Sequence, residues 1–255
     1  MSRREIAGDY DYETGGAGYA VNRRPDPRIA AHVHAALGDA TTVINVGAGA
    51  GSYEPTDRDV TAIEPSASMR SQRPRHLSAA IDAVAEKLPF ADESFDAAMA
   101  TITIHQWRDL DRGLTEMRRV SRGPVVILTF DGSVLADFWL NDYSPEVLAA
   151  ERRRYPEIDH VVAVLGGTVD VTPIAVPIDC TDGFGEAFYA RPERFLDPAV
   201  RLSQSGWGFV DHAAIDRFVA HLQGDLDSGE WDRRYGALRE QPTYVGSLRL
   251  LTAHR

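Results

Sequence analysis

Three features of the chain combine residue types and spacings that can do chemistry. The first is Val43-Ile44-Asn45-Val46-Gly47-Ala48-Gly49-Ala50-Gly51, an apolar run delivered into a glycine turn. Glycines at such a turn let backbone approach a ligand with no Cβ in the way, and the N–H groups opening a following helix can hold polar ligand atoms. The second is Glu64, 17 residues after Gly47 at the end of the next apolar run. From that place a carboxylate can accept both hydroxyl protons of an adenosine ribose. Together the two features point to an adenosine-type cofactor; the alternative is a tight strand-to-helix turn with a solvated glutamate nearby. The third is His105 in Thr103-Ile104-His105-Gln106-Trp107, a candidate base or orienting group, set against a histidine that only caps a loop.

The spacing of the glycines narrows the cofactor. A dinucleotide fingerprint wants glycine or alanine three residues after the second glycine, and Ser52 stands there. No Lys-Ser/Thr ending follows, so the loop is not of the triphosphate-binding kind either. Other reactive residues offer less. Cys180 reads as a half-buried loop residue rather than a nucleophile, and Lys87, the one lysine, falls in a surface turn unsuited to Schiff-base chemistry. His32 and His34, two apart on a helix, face different directions, so no metal site is expected there. Arg152-Arg153-Arg154 reads as a solvated helix face, with an acceptor phosphate as the sharper alternative.

Elements able to position these residues alternate along the first half of the chain. Asp26-Pro27 reads as an N-cap and first helical residue, with Ile29, Val33, Ala36 and Leu37 on one face until Gly38. Strands are predicted at 41–46, 60–63, 95–102 and 124–130, and helices from Ser66 and from Asp109 or Asp111, the latter carrying Leu114, Met117 and Val120. Short apolar runs between amphipathic helices are what a parallel sheet covered on both faces requires. A doubly wound α/β sheet is therefore expected over roughly residues 25–132. Beyond it come a helix from Ser144-Pro145, a strand at 169–178, a mostly helical stretch at 191–240 broken at 205–208, and a last strand at 244–251.

Composition limits the partners. The chain has 255 residues, 44% apolar and 25% charged, as expected of a globular protein. Its 27 basic against 38 acidic residues leave a formal charge of −11, which argues against a nucleic-acid binder that must displace counterions from phosphates. A single cysteine excludes an intramolecular disulfide and makes a reducing, cytoplasmic setting the expectation. No segment approaches the ~18 consecutive apolar residues of a membrane span, and no apolar leader is visible, so neither membrane insertion nor export is expected.

In order and in kind, these motifs resemble the class I S-adenosylmethionine-dependent methyltransferases of the small-molecule type. The resemblance runs through Val43 to Gly51, Ala62-Ile63-Glu64-Pro65-Ser66, Ala85-Glu86-Lys87-Leu88-Pro89-Phe90 before Asp92-Glu93-Ser94-Phe95-Asp96, Thr101 to Trp107, and Leu114 to Arg122. It covers about 85 residues, and the combination is specific although each piece is weak. It departs at Asn45, where many relatives carry an acid, and at Val84, where an Asp often binds adenine.

The resemblance implies a Rossmann-like, mostly parallel seven-stranded sheet with helices on both faces and a helical cap insertion. Residues 1–24 would form a lid, and 25–255 one domain with cap elements within about 136–168 and 184–240. S-adenosyl-L-methionine would be the cofactor. Gly47, Ala48 and Gly49 would face its methionine part, Glu64 and Pro65 its ribose, Ala85 and Glu86 its adenine, and Thr101 and Ile102 the sulfonium. Tyr19 with Arg23 or Arg24 would close over its carboxylate, an alternative for the arginines being a solvated pair. Tyr10, Tyr12, Trp107, Phe138, Trp139 and Tyr143 would wall the acceptor site, with His105 beside it. The implied reaction is methyl transfer by in-line displacement to a small aromatic or apolar metabolite, where positioning supplies most of the acceleration. The arginine bias fits a high-G+C bacterium, where such enzymes often tailor natural products. The chain is expected as a monomer or homodimer. A non-catalytic S-adenosylmethionine-binding or assembly subunit is the alternative, and a nucleotide-dependent oxidoreductase a third reading that Ser52 disfavours.

Overall fold

The computed structural model describes residues 23–255. Four strands, β1 (Thr42–Val46), β2 (Asp59–Ile63), β3 (Ala97–Thr101) and β4 (Val125–Phe130), lie side by side in the order β2-β1-β3-β4 and pair in parallel. Their apolar continuity has a plain cause: successive side chains point to opposite faces, and both faces are covered. Val43, Ala97, Met99, Val126 and Leu128 belong to one buried cluster, which includes Ile29 and Val33 of helix α1 (Pro27–Ala36). The alternate residues Ile44, Val46, Ala98, Ala100 and Ile127 belong to a second, with Leu114, Met117 and Val120 from another helix. Between β2 and β3 the short helix α2 (Ala67–Ser71) is capped by Ser66, and α3 (Leu110–Val120), which supplies those last three residues, joins β3 to β4. The strand order reverses between β1 and β3, which opens a cleft at their C-terminal ends.

Among the described residues the sheet holds six strands, where seven were expected. Its order is β2-β1-β3-β4-β8-β5, with β5 (Val169–Pro173) and β8 (Leu248–Ala253) pairing antiparallel. Beyond β2, where the seventh strand would lie, one parallel bridge joins Ile63 to Ile81. Ile81 stands between alanines and an aspartate and is 41% exposed, too little apolar surface to hold a full edge strand. The strand expected at 169–178 divides at Pro173, which has no N–H to donate, into β5 and the two-residue β6 (Val176–Pro177). That short strand pairs with β7 (Thr243–Tyr244), so the last long strand begins at Leu248 rather than at Tyr244.

After β4 the chain builds a third cluster, around Trp139, Tyr189, Phe195, Trp207, Phe218 and Trp231. Helices α4 (Pro145–Arg154), α6 (Pro198–Leu202), α7 (His212–Ser228) and α8 (Glu230–Tyr235) surround it, α6 and α7 joined by one 3₁₀ turn and α7 and α8 meeting at Gly229. Helix α5 (Ile158–Leu165) instead buries Val161 and Leu165 in the second sheet cluster beside α3. Of the two stretches expected to form a cap, the first therefore gives its last part to the sheet.

Candidate active site

The glycine turn is held by hydrogen bonds to the end of β2. Gly47 N–H and Ala48 N–H both donate to the Ile63 carbonyl, at 2.9 and 2.8 Å. Gly47 and Gly51 have φ of +72° and +97°, and a Cβ on either would stand 2.3 Å from Thr103 Oγ1 or Leu77 Cδ1. Only glycine satisfies both conditions. No helix follows: the chain passes through turns to Tyr53, itself at φ +61°, and reaches Pro55. The expected helix N-terminus is absent because left-handed residues and a proline occupy the short span before β2.

Glu64 is 8% exposed. One carboxyl oxygen accepts the Gly49 N–H and the other the Ser66 N–H, both at 2.8 Å, and Pro65 fixes the step between Glu64 and the Ser66 cap. Burial raises its pKa above the ordinary 4.5, and these two N–H groups oppose the rise. A carboxylate has about four lone-pair directions, so two remain. Behind the turn, Asn45 donates to Glu54 Oε2 at 3.0 Å, and Glu54 is paired with Arg73 at 2.8 Å. Asn45 thus has a buried carboxylate beside it, one residue type away from where the resemblance places an acid.

Other expected contacts are committed differently. The Glu86 side chain accepts the N–H groups of Arg108 and Asp109, at 2.8 and 3.1 Å, at the start of α3, and Ala85 is buried. Thr101 Oγ1 donates to the Ser52 carbonyl, tying β3 to the glycine turn. Ile102 takes φ +52°, an unfavourable conformation for a β-branched residue, in the wall of a cavity.

That cavity encloses about 670 Å³, part of it open to solvent. Ile102, Phe130, Phe138 and Phe184 form apolar walls; His105, Glu151, Tyr155, Glu186, Gln204 and Arg23 supply polar groups. His105 is half-buried in a 3₁₀ turn after β3, its ring edge-on to Tyr155 at 4.9 Å. Burial, and then the positive charges of Arg154 and Arg23, push its pKa well below the ordinary 6.5, so the imidazole is neutral at neutral pH. Helix α4 brings Glu151 to the same space, and Tyr155, just past the helix end, hydrogen-bonds to it.

Of the described aromatic candidates Phe138 alone lines the cavity. Trp107 packs on Gly113, whose Cβ would stand 2.5 Å from its ring, because α3 needs that filling against the sheet. Trp139 and Tyr143 lie in the third cluster, the first donating to the Tyr189 carbonyl at 2.9 Å and the second to Asp225 at 2.7 Å. Tyr10, Tyr12 and Tyr19 lie outside the described residues. Arg24 is exposed; Arg23 points inward and binds Asp182 at 2.6 Å. Arg154 is also buried, donating to Ser205 Oγ at 2.9 Å, so the 152–154 run is not wholly a solvated face. Cys180 is buried rather than half-buried, and burial pushes its thiol up to about 12.

Glu151 and Tyr155 had a signal in the sequence. Val147, Leu148, Glu151 and Tyr155 recur at helical spacing, so the carboxylate falls within an apolar stripe. A charged residue in such a stripe is buried and paired, or it serves a site.

Comparison with known proteins accords with this geometry. Residues 44–129 match the family model described as a methyltransferase domain. The whole chain is similar to a protein of Anabaena variabilis described as a methyltransferase from an antibiotic biosynthesis pathway, with 29% identity, a TM-score of 0.85 and coverage of 92% of this chain and 99% of that one. A phosphoethanolamine N-methyltransferase 2 of Haemonchus contortus, solved with S-adenosylhomocysteine and phosphomonomethylethanolamine, shares the fold at 13% identity and TM-score 0.55, over 96% of this chain and 58% of that one. The cyclase SpnF shares it at 14% identity and TM-score 0.53, over 99% of both chains. Curated proteins give no match. The glycine turn, the acid ending β2 and the strand order lie within the matched segment or frame it, and residues 44–129 form a methyltransferase domain of the class I S-adenosylmethionine-dependent kind.

Proposed function

We propose that the chain binds S-adenosylmethionine across the glycine turn and Glu64 and methylates a small aromatic or apolar metabolite held in the adjoining cavity. The observation that carries this reading is the cavity's place: its lining includes Ile102 and His105, directly beyond β3, while Thr101 ties that strand end to the glycine turn. The turn and carboxylate fit the cofactor. Gly47 and Gly51 let the turn pack tightly against Thr103 and Leu77 with its backbone unshielded by side chains, and Glu64 keeps two lone-pair directions for a ribose diol. Thr101 and Ile102 would stand near the sulfonium, and Ala85 and Glu86 would offer backbone to the adenine. When bound, the cofactor supplies a methyl group on a positively charged sulfur. The protein's part is to hold the acceptor in line and exclude water.

Neutral His105 then orients the acceptor by hydrogen bonding. Segments within 136–168 and 184–240 act as a cap, since Phe138, Leu140, Val147, Leu148, Gln204 and Ser205 all reach the cavity from them. The formal charge of −11 and the modest cavity favour a metabolite over a nucleic acid. No described helix is long and apolar enough to cross a membrane. The antibiotic-pathway description of the Anabaena variabilis protein supports natural-product tailoring.

A calorimetric titration with S-adenosylmethionine and S-adenosylhomocysteine tests the reading. The wild type binds both, and Glu64→Ala weakens each at least tenfold, since hydrogen bonds to a charged acceptor contribute about 1.5–3 kcal/mol. Absence of binding to the wild type sinks the proposal. Binding with no turnover on any acceptor favours a non-catalytic S-adenosylmethionine-binding or assembly subunit instead.

A further inference from the structure

The cavity beside His105 contains two buried polar atoms that no described residue satisfies. Glu151 Oε2 and Gln204 Nε2 both lack a hydrogen-bond partner among the described residues, and both side chains line the cavity. Buried polar atoms are rarely left so, and those at a cavity wall mark where a ligand makes the missing bonds.

Neighbours determine what Glu151 can offer. The Tyr155 hydroxyl and the Gly206 N–H hydrogen-bond to its carboxyl, and the Arg154 guanidinium lies 3.7 Å from Oε1. Burial raises the pKa of Glu151, while the Arg154 charge and these hydrogen bonds oppose the rise and favour the ionised form, in which Oε2 presents lone pairs. Gly206 has no room for a Cβ, which would stand 2.1 Å from Oε1, so loop and carboxyl are fitted to each other.

The remaining charges around the cavity are engaged. Arg23 binds Asp182 at 2.6 Å, Arg154 donates to Ser205 Oγ at 2.9 Å, and Glu186 accepts the Ser247 hydroxyl at 2.7 Å. His105 is neutral. An anionic ligand would therefore face two carboxyl groups with both arginines already committed. Phe130, Phe138 and Phe184 offer ring faces and edges instead.

We infer that the methyl acceptor is a neutral aromatic molecule bearing an O–H or N–H, bound with that group donating to Glu151 Oε2 and with the Gln204 carboxamide against its own acceptor atom. The word acceptor rests on the methyltransferase reading; the recognition belongs to the cavity.

The test uses 4-nitrophenol, whose neutral and ionised forms absorb differently, titrated into the full chain saturated with S-adenosylhomocysteine. The neutral form is expected to bind about tenfold more tightly than the anion, raising the bound probe's apparent pKa by about 1. 4-Nitroanisole, which has no O–H, is expected to bind about tenfold more weakly than 4-nitrophenol. Glu151→Gln places an NH2 in the same shape and should cancel both preferences, whereas Gln204→Met should weaken 4-nitrophenol several-fold and keep them. Melting followed by circular dichroism confirms that each variant folds; if Glu151→Gln does not, the wild-type preferences and Gln204→Met decide. Preference for the anion, equal binding of the two probes, preferences that survive Glu151→Gln, or no binding of either probe overturns the inference. If S-adenosylhomocysteine fails to bind while the probe preferences hold without it, the methyltransferase reading falls and the cavity assignment stands.

Discussion

Glu64 is the residue at which burial and function pull in opposite directions. A ribose diol needs the ionised carboxylate as acceptor, yet burial raises the pKa of the group above 4.5. In the free protein the carboxylate therefore takes up a proton at a higher pH than a solvated glutamate does. S-adenosylhomocysteine affinity is expected to be level near neutrality and to fall on acidification, beginning above pH 4.5, when followed by calorimetry across pH. Glu64→Gln should flatten that profile while lowering affinity throughout. His105 adds nothing to it near neutrality, because its own pKa lies well below 6.5. Residues such as Gly47 and Glu64 could be read from the sequence because their conformational or chemical demands are local. Arg23 was less readable: it meets Asp182 across 159 positions, a contact that no local pattern encodes.

Among the elements, α1 depends on its cap. Asp26 is fully buried and accepts the Arg28 N–H at 2.9 Å, the Arg28 guanidinium at 2.7 Å and the Thr181 N–H at 3.1 Å. It thereby ties the start of α1 to the loop after β6. Burial alone would raise its pKa, but these hydrogen bonds outweigh it and bring it from 3.8 down to about 2. The stabilisation is present above pH 3.8 and is lost as pH falls towards about 2. Asp26→Asn is expected to cost about 1–2 kcal/mol in urea unfolding at neutral pH and to reduce the acid sensitivity of the wild type. This cap was visible as Asp-Pro before an amphipathic run, and the four parallel strands were visible as apolar runs. The turns after Gly51 were not, because glycines that permit a helix N-terminus equally permit left-handed turns. Nor could the sequence separate α5 from the cap, since its Val161 and Leu165 would suit either apolar cluster.

For the molecule as a whole, a ligand that binds only the folded chain raises its stability by mass action. S-adenosylhomocysteine at about 100 times its Kd should add about 2.7 kcal/mol, which for a domain of this size raises Tm by about 5–10 °C. Scanning calorimetry of Glu64→Ala at the same ligand concentration should show about half of that increase lost, or more where the affinity falls by more than tenfold. The excess of acidic over basic residues favoured a small acceptor from the outset, and the partly open, mixed apolar and polar cavity agrees with it at the level of shape. The number of strands was not readable in the same way, because an edge strand survives only if it covers enough apolar surface, and Ile81 offers one residue.

The position of β8 also bears on how the chain is made. It pairs with β4 on one side and β5 on the other, so β5 has no neighbour in the sheet until residues 248–253 exist. During synthesis β2, β1, β3 and β4 can assemble early, while β5 must wait for almost eighty further residues to leave the ribosome. In that interval the exposed side of β4 presents an unpaired edge open to pairing with other chains. Premature termination before Leu248 would therefore detach two strands from the sheet and expose that edge permanently, making the truncated product prone to aggregate.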